Sequence, residues 1–111
     1  LSSEATEIML RPWSGEAGKA ALFRNFRRLS PEYTMAIARE LELLDLPVLV
    51  LWGDRDPFQK PAYAQRLTDT IPGARLDWIE GAAHWIMEEQ PQVVAAKIAG
   101  FLDAPAAPFA G

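Results

Sequence analysis

The sequence has no cysteine among its 111 residues, which excludes disulfide bonds and thiolate metal sites. It also has no apolar run near the roughly 20 residues that span a bilayer, so we expect no membrane partner. Positive charge is in deficit, with 11 lysines and arginines against 15 acids. A net charge of −4 argues against nucleic acid, whose phosphates bind basic residues. No basic-then-apolar segment opens the chain, and we expect a cytoplasmic location.

What the chain does contain is typical of a folded domain. Half of the residues are hydrophobic and 23% are charged, a balance that favours a packed core over disorder. The length is enough for one small domain with its own core. Because residue 1 is leucine and not methionine, we expect the numbering to begin inside a longer gene product.

The first 45 residues have helical patterns. Small and apolar residues recur at helical spacing over residues 15–28, which predicts a helix. The basic residues there, Lys19, Arg24, Arg27 and Arg28, indicate a solvated face, with an anion site as the alternative. Ser30 followed by Pro31 is typical of a helix start. A second helix is predicted by an apolar stripe of Met35, Ala38, Leu41 and Leu44.

The remaining residues alternate between strand and helix patterns. They predict a buried strand over 47–52, a helix over 61–70, a strand over 75–79, a loop over 80–87 and a helix from Pro91. The residues predicted to face inward on the two helices are Ala64, Leu67, Val94, Ile98, Phe101 and Leu102. A strand–helix–strand unit makes its two strands parallel. The sequence therefore predicts an α/β fold of two parallel strands with flanking helices.

An acid and the single histidine follow the two predicted strands. Asp56 comes shortly after the first strand, and His84 comes shortly after the second. Because the carboxyl ends of parallel strands meet at one edge of a sheet, we expect both side chains at that edge. A carboxylate that accepts one imidazole N–H leaves the other ring nitrogen ready to take a proton. The pair therefore predicts an acid–base site.

Other interpretations of these acids stay open on residue patterns alone. Asp54 and Asp56 could both cap a turn at Gly53. They could also form an Asp-x-Asp site for Mg²⁺ or Mn²⁺ in a transferase, although no partner has ligand spacing. Glu88 and Glu89 fit best as first-turn acids that a helix dipole favours. No glycine-rich phosphate loop is present.

Three segments in order resemble the C-terminal part of α/β-hydrolases. They are residues 46–58, 71–76 and 81–91, followed by an amphipathic helix. The subgroup they resemble contains haloalkane dehalogenases, epoxide hydrolases, C–C bond hydrolases and carboxylesterases. Its G-x-x-D pattern implies that Asp56, three residues after Gly53, is the triad acid, with Asp54 as a turn residue. Its G-x-x-H-W pattern implies that His84 is the triad base.

The resemblance also implies a domain plan and a missing residue. Residues 1–45 would form the end of a helical lid and a connecting helix, 46–103 the C-terminal βαβα part of the core, and 104–111 a loose tail. The family orders its triad as nucleophile, acid and base, with the nucleophile on a glycine-flanked elbow. No serine or aspartate of this sequence has glycines at those flanking positions. We therefore expect the chain to supply acid and base only, and to be inactive alone.

The resemblance further implies what the site binds. We expect no cofactor and no metal, and a small-molecule substrate whose apolar part contacts Phe58 and Trp85, which adjoin the catalytic pair. The expected protein partner is the N-terminal portion of a hydrolase or a second copy of the chain. The alternative function is a non-catalytic fragment, an association module whose exposed strand edge pairs with another chain.

Overall fold

The computed structural model describes residues 2–104, and the chain divides into a unit that ends at Ile37 and a unit that begins at Ala38. The predicted loose tail, apart from Ala104, lies outside the described residues. Among the residues described, no helix has the length and hydropathy that crossing a bilayer requires.

The first unit is helical. It contains α1 (Ser3–Leu10), a 3₁₀ turn (Arg11–Trp13), α2 (Gly15–Phe26) and α3 (Glu32–Ile37). The hydroxyl of Ser2 caps α1 by accepting the Ala5 N–H at 3.1 Å. The predicted helix over residues 15–28 is confirmed as α2. The helix start predicted at Ser30 is also confirmed, because its hydroxyl accepts the Glu32 N–H at 3.2 Å.

The apolar stripe predicted from Met35 to Leu44 is not one helix. Helix α3 ends at Ile37, and a separate 3₁₀ turn follows over Glu40–Leu43. Met35 is 67% exposed. The stripe has a strict spacing of three residues, which is the period of a 3₁₀ helix as well as a near match to an α-helix. Periodicity alone therefore could not separate the two.

The second unit holds the sheet. Its elements are β1 (Leu49–Gly53), α4 (Pro61–Thr70), β2 (Arg75–Ile79), α5 (Ile86–Glu89) and α6 (Pro91–Asp103). The predicted bounds of α4 and β2 are confirmed. Strand β1 begins two residues later than predicted and includes Gly53. The one-turn helix α5 was not predicted; its first two residues lie in the stretch assigned as loop, and it ends before the helix predicted from Pro91.

The two strands pair in parallel, as predicted, which confirms the α/β fold. Their register places Leu49 beside Arg75 and Gly53 beside Ile79, so both strands end at the same level. The loops that carry Asp56 and His84 therefore leave the sheet at one edge.

A small apolar core covers the sheet. Its centre is Ile79, Ala82 and Val94, against which Leu51 and Ile86 pack. Predicted inward positions Ala64 and Val94 are buried. Two further positions predicted to face inward on α6 are instead exposed, Ile98 at 43% and Leu102 at 73%. Helix α6 forms as predicted, with Val94 as its buried residue.

Candidate active site

Asp56 and His84 are joined by a hydrogen bond at the carboxyl edge of the sheet. The distance from His84 Nδ1 to Asp56 Oδ2 is 2.8 Å. An ionised carboxylate can only accept, so Nδ1 must carry the proton. In a neutral imidazole this leaves Nε2 as the acceptor, on a side chain that is 35% exposed. The structure thus brings together the two residues that the sequence assigned to acid–base chemistry.

The second oxygen of Asp56 fixes the orientation of its carboxylate. Oδ1 accepts the backbone N–H groups of Phe58 and Gln59, each at 2.8 Å. The residue is buried, with 8% of its surface exposed. Burial raises the pKa of Asp56, but the hydrogen bonds from Gln59, His84 and Phe58 outweigh it, so the pKa lies below its ordinary value of 3.8. The carboxylate therefore stays ionised and aimed at the imidazole.

The lowered pKa of Asp56 predicts a loss of stability in acid. Because the unfolded carboxyl binds a proton more tightly than the native one, the contribution of Asp56 is complete above pH 3.8 and declines as the pH falls through its native pKa. Urea unfolding from pH 6 down to pH 2 measures this, with Asp56→Asn as the comparison. The difference in free energy of unfolding between wild type and Asp56→Asn should become smaller below pH 3.8. A difference that stays constant would contradict the lowered pKa of Asp56.

The loop after β1 is bonded to the loop after β2. Asp54 Oδ1 accepts the Gly81 N–H at 2.7 Å, and the Arg55 N–H donates to the Ala82 carbonyl at 3.0 Å. Gly53 permits this approach, since a Cβ there would overlap the backbone carbonyl of Ala83. Asp54 is therefore a structural partner of the histidine loop. Its carboxylate bonds across to that loop and not within the local turn at Gly53 that the sequence suggested.

The histidine loop is held from its other side by Glu89. Its carboxylate accepts the Ala83 N–H at 2.8 Å and the Trp85 N–H at 3.3 Å. Sequence reasoning correctly placed Glu88 and Glu89 as acids in the first turn of a helix, which is α5, but it did not predict that the Glu89 side chain bonds to the histidine loop. The available signal was a Glu just after a predicted loop, where a side chain can reach back to free N–H groups in the manner of a capping box.

Two aromatic rings flank the imidazole. The Phe58 ring lies 5.5 Å from His84 between centroids, and the Trp85 ring lies 5.6 Å away, both edge-to-face. Phe58 is 75% exposed and Trp85 is 36% exposed. The Asp56–His84 pair is therefore bordered by exposed aromatic surface.

The Asp-x-Asp pair has its carboxylates turned to different partners. Asp54 bonds to Gly81, and both oxygens of Asp56 are taken by His84 and backbone N–H groups. Within residues 2–104, no group of three or more histidine or acidic side chains is arranged to hold a metal ion.

Comparison with known sequences gives the family. The alpha/beta hydrolase family matches residues 3–97, and the chain belongs to this family. It is 39% identical over 59 residues to Epoxide hydrolase 2 of Caenorhabditis elegans, covering 53% of the chain and 17% of that protein. It is 34% identical over 93 residues to Polyketide synthase ThaQ of Burkholderia thailandensis, covering 76% of the chain and 4% of that protein. The chain therefore spans less than a fifth of these curated relatives.

Solved structures agree with the family. One is MGS-MChE2, an alpha/beta hydrolase from a lagoon-sediment metagenome, with a TM-score of 0.57 and 26% identity over 60% of this chain and 30% of that one. Another is the carboxylesterase CesB of Bacillus subtilis, with a TM-score of 0.54 and 27% identity over 60% of this chain and 24% of that one. The resemblance to the α/β-hydrolase family is thus confirmed.

Proposed function

We propose that this chain supplies the base, His84, and the orienting acid, Asp56, of a catalytic triad that hydrolyses an ester, epoxide or carbon–halogen bond. The observation that supports this most is the 2.8 Å bond between His84 Nδ1 and a buried carboxylate whose other oxygen is already fixed. Relatives named as epoxide hydrolases and a carboxylesterase support the epoxide and ester classes, and the carbon–halogen class rests on the resemblance of the sequence motifs alone. Phe58 and Trp85 would contact the apolar part of the substrate.

With a serine nucleophile, His84 would act twice. Nε2 first accepts the hydroxyl proton as the serine oxygen attacks the ester carbonyl, and Asp56 stabilises the imidazolium through Nδ1–H. The same proton then passes to the departing alkoxide, which leaves an acyl-enzyme. In the second half His84 takes a proton from water as it attacks the acyl carbon. The acid product leaves, and the serine recovers its proton.

With an aspartate nucleophile, the first step needs no base. The carboxylate attacks the carbon of an epoxide or carbon–halogen bond, the oxygen or halide is displaced, and an ester to the enzyme forms. The epoxide oxygen takes up a proton from water, whereas a displaced halide leaves as the anion. His84 then removes a proton from the water that attacks this ester and passes it to the departing alkoxide, which leaves as the alcohol. The regenerated carboxyl group loses its proton to solvent. Both routes share one step, in which His84, oriented by Asp56, takes a proton from the attacking water.

The nucleophile is proposed to come from a polypeptide segment outside these 111 residues. The sequence has no glycine-flanked serine or aspartate elbow. Among the described residues, each strand is paired on one side only, so each has an outer edge with free N–H and C=O groups. These edges suit pairing with the remaining portion of a hydrolase sheet, or with a second copy of the chain.

A chimera tests the proposal. Residues 46–103 replace the matching portion of Epoxide hydrolase 2. Epoxide hydrolysis is followed for this chimera, for Epoxide hydrolase 2 with that portion deleted, and for the 111-residue chain alone. We expect kcat of the chimera to lie within roughly 10²-fold of that of intact Epoxide hydrolase 2, because a misplacement of about 1 Å can cause a loss of that size. The chain alone and Epoxide hydrolase 2 with that portion deleted should stay at background. Turnover by the isolated chain that depends on His84, or a folded but inactive chimera, would contradict the proposal.

A further inference from the structure

One carboxylate bonds to the backbone on both sides of His84. Glu89 Oε2 accepts the N–H of Ala83, the residue before the histidine, at 2.8 Å. Its Oε1 accepts the N–H of Trp85, the residue after the histidine, at 3.3 Å. The N–H groups of the residues before and after the histidine are therefore both bonded to one side chain.

We propose that Glu89 is a positioning residue that fixes the backbone at His84 so that the imidazole faces Asp56. Bonds from backbone N–H groups to a charged acceptor are stronger than those between neutral groups. The residue does not touch the imidazole, and its effect passes through the main chain. The consequence for catalysis rests on the proposed function above, but the geometric claim does not.

The position of Glu89 is itself fixed by the short helix α5. The Glu89 N–H donates to the Trp85 carbonyl at 2.9 Å, and the Gln90 N–H donates to the Ile86 carbonyl at 2.9 Å. The Gln90 side chain in turn donates to the Glu80 carbonyl at 2.7 Å, which connects the end of α5 to the start of the histidine loop. The Glu89 carboxylate is thus carried by a helical turn whose two ends are both hydrogen-bonded to the histidine loop.

The neighbouring acid provides a matched control. Glu88 has the same side chain, precedes Glu89 directly and belongs to the same helical turn. Among the described residues its carboxylate makes no hydrogen bond or ion pair, whereas that of Glu89 makes two backbone bonds. Removing either acid changes the local charge equally, so a difference between the two variants reports the backbone contacts.

The single histidine makes the test direct. Ring ¹⁵N shifts of His84 in the full 111-residue chain at about pH 9 give the ratio of Nδ1–H to Nε2–H tautomers without ambiguity of assignment. Wild type should be mainly the Nδ1–H form, which the bond to Asp56 selects. In Glu89→Ala we expect this ratio to fall about tenfold, the factor expected for losing one charge-assisted hydrogen bond. Glu88→Ala should keep the wild-type ratio.

Two further readings separate positioning from general stabilisation. Glu89→Gln keeps one acceptor oxygen and should give a smaller change in the same direction; this variant decides the matter if the alanine variant does not fold. A purely structural role would lower Tm while leaving the tautomer ratio unchanged in a folded variant, and that result would overturn the inference. So would an equal change in Glu88→Ala.

The ring measurement needs no turnover, so it separates this inference from the proposed function. A shifted tautomer ratio in Glu89→Ala together with an inactive chimera would reject the proposed function alone. An active chimera together with an unchanged ratio would reject the positioning role alone.

Discussion

Replacing His84 with alanine lowers kcat of the chimera for epoxide hydrolysis by about 10⁴-fold or more, the size of effect that follows removal of a triad base. The reason is that no other histidine exists in these residues to accept the proton that Nε2 would take. The variant keeps the fold, because His84 is partly exposed and its loop is held through backbone bonds. The measurement is steady-state kinetics on the purified chimera.

A neighbouring substitution controls for disturbance of the loop region. Met87→Ala removes a side chain that is 53% exposed and three residues from His84, and it should leave kcat close to that of the parent chimera. An unchanged rate in a folded His84→Ala chimera would show that His84 is not the base.

Replacing Asp56 with asparagine should lower kcat by about 10³- to 10⁴-fold, because an amide does not select the Nδ1–H tautomer as a carboxylate does. Asparagine also has one acceptor oxygen in place of two, so it cannot bond to His84 and to the Phe58 and Gln59 N–H groups as Asp56 does. The substitution keeps the volume of the side chain. Kinetics on the folded chimera measure the loss.

The matched control for Asp56 is the other acid of the same loop. Asp54→Asn keeps an oxygen that can accept the Gly81 N–H, and its side chain is bonded to Gly81 and not to His84. We expect a loss of less than about tenfold, which is the cost of weakening one charge-assisted bond to an uncharged one. An equal loss of kcat in Asp54→Asn and Asp56→Asn would mean that the bond from Asp56 to His84 is not the reason for the loss.

Much of the second unit could be predicted because proline and glycine residues mark the ends of its elements clearly. Pro61 and the Pro72-Gly73 pair bound α4 where the sequence placed it, and β2 follows with the predicted limits. β1 begins later than predicted, at Leu49, although the Val48 carbonyl already accepts the Arg75 N–H at 2.9 Å. The topology of two parallel strands then placed Asp56 and His84 at one edge without further information.

The contacts that fix the site could not be predicted from patterns. Asp54 and Asp56 have the same side chain in one loop, and the choice between them came from a family resemblance that the hydrogen bonds now support. The role of Glu89 depends on where α5 turns the chain back, which no periodicity reports. Local spacing predicts elements, whereas the partner of a carboxylate depends on the path of a loop.

The most direct measurement of the central claim compares three variants of the chimera: His84→Ala, Asp56→Asn and the double variant. If Asp56 acts through His84, its removal has no further effect once the imidazole is gone, since residues that act as a unit are strongly non-additive. We therefore expect the double variant to have the same kcat as His84→Ala. If the fold-losses of kcat in the two single variants multiply in the double variant, the two residues act independently. That result would contradict the claim that Asp56 acts through His84.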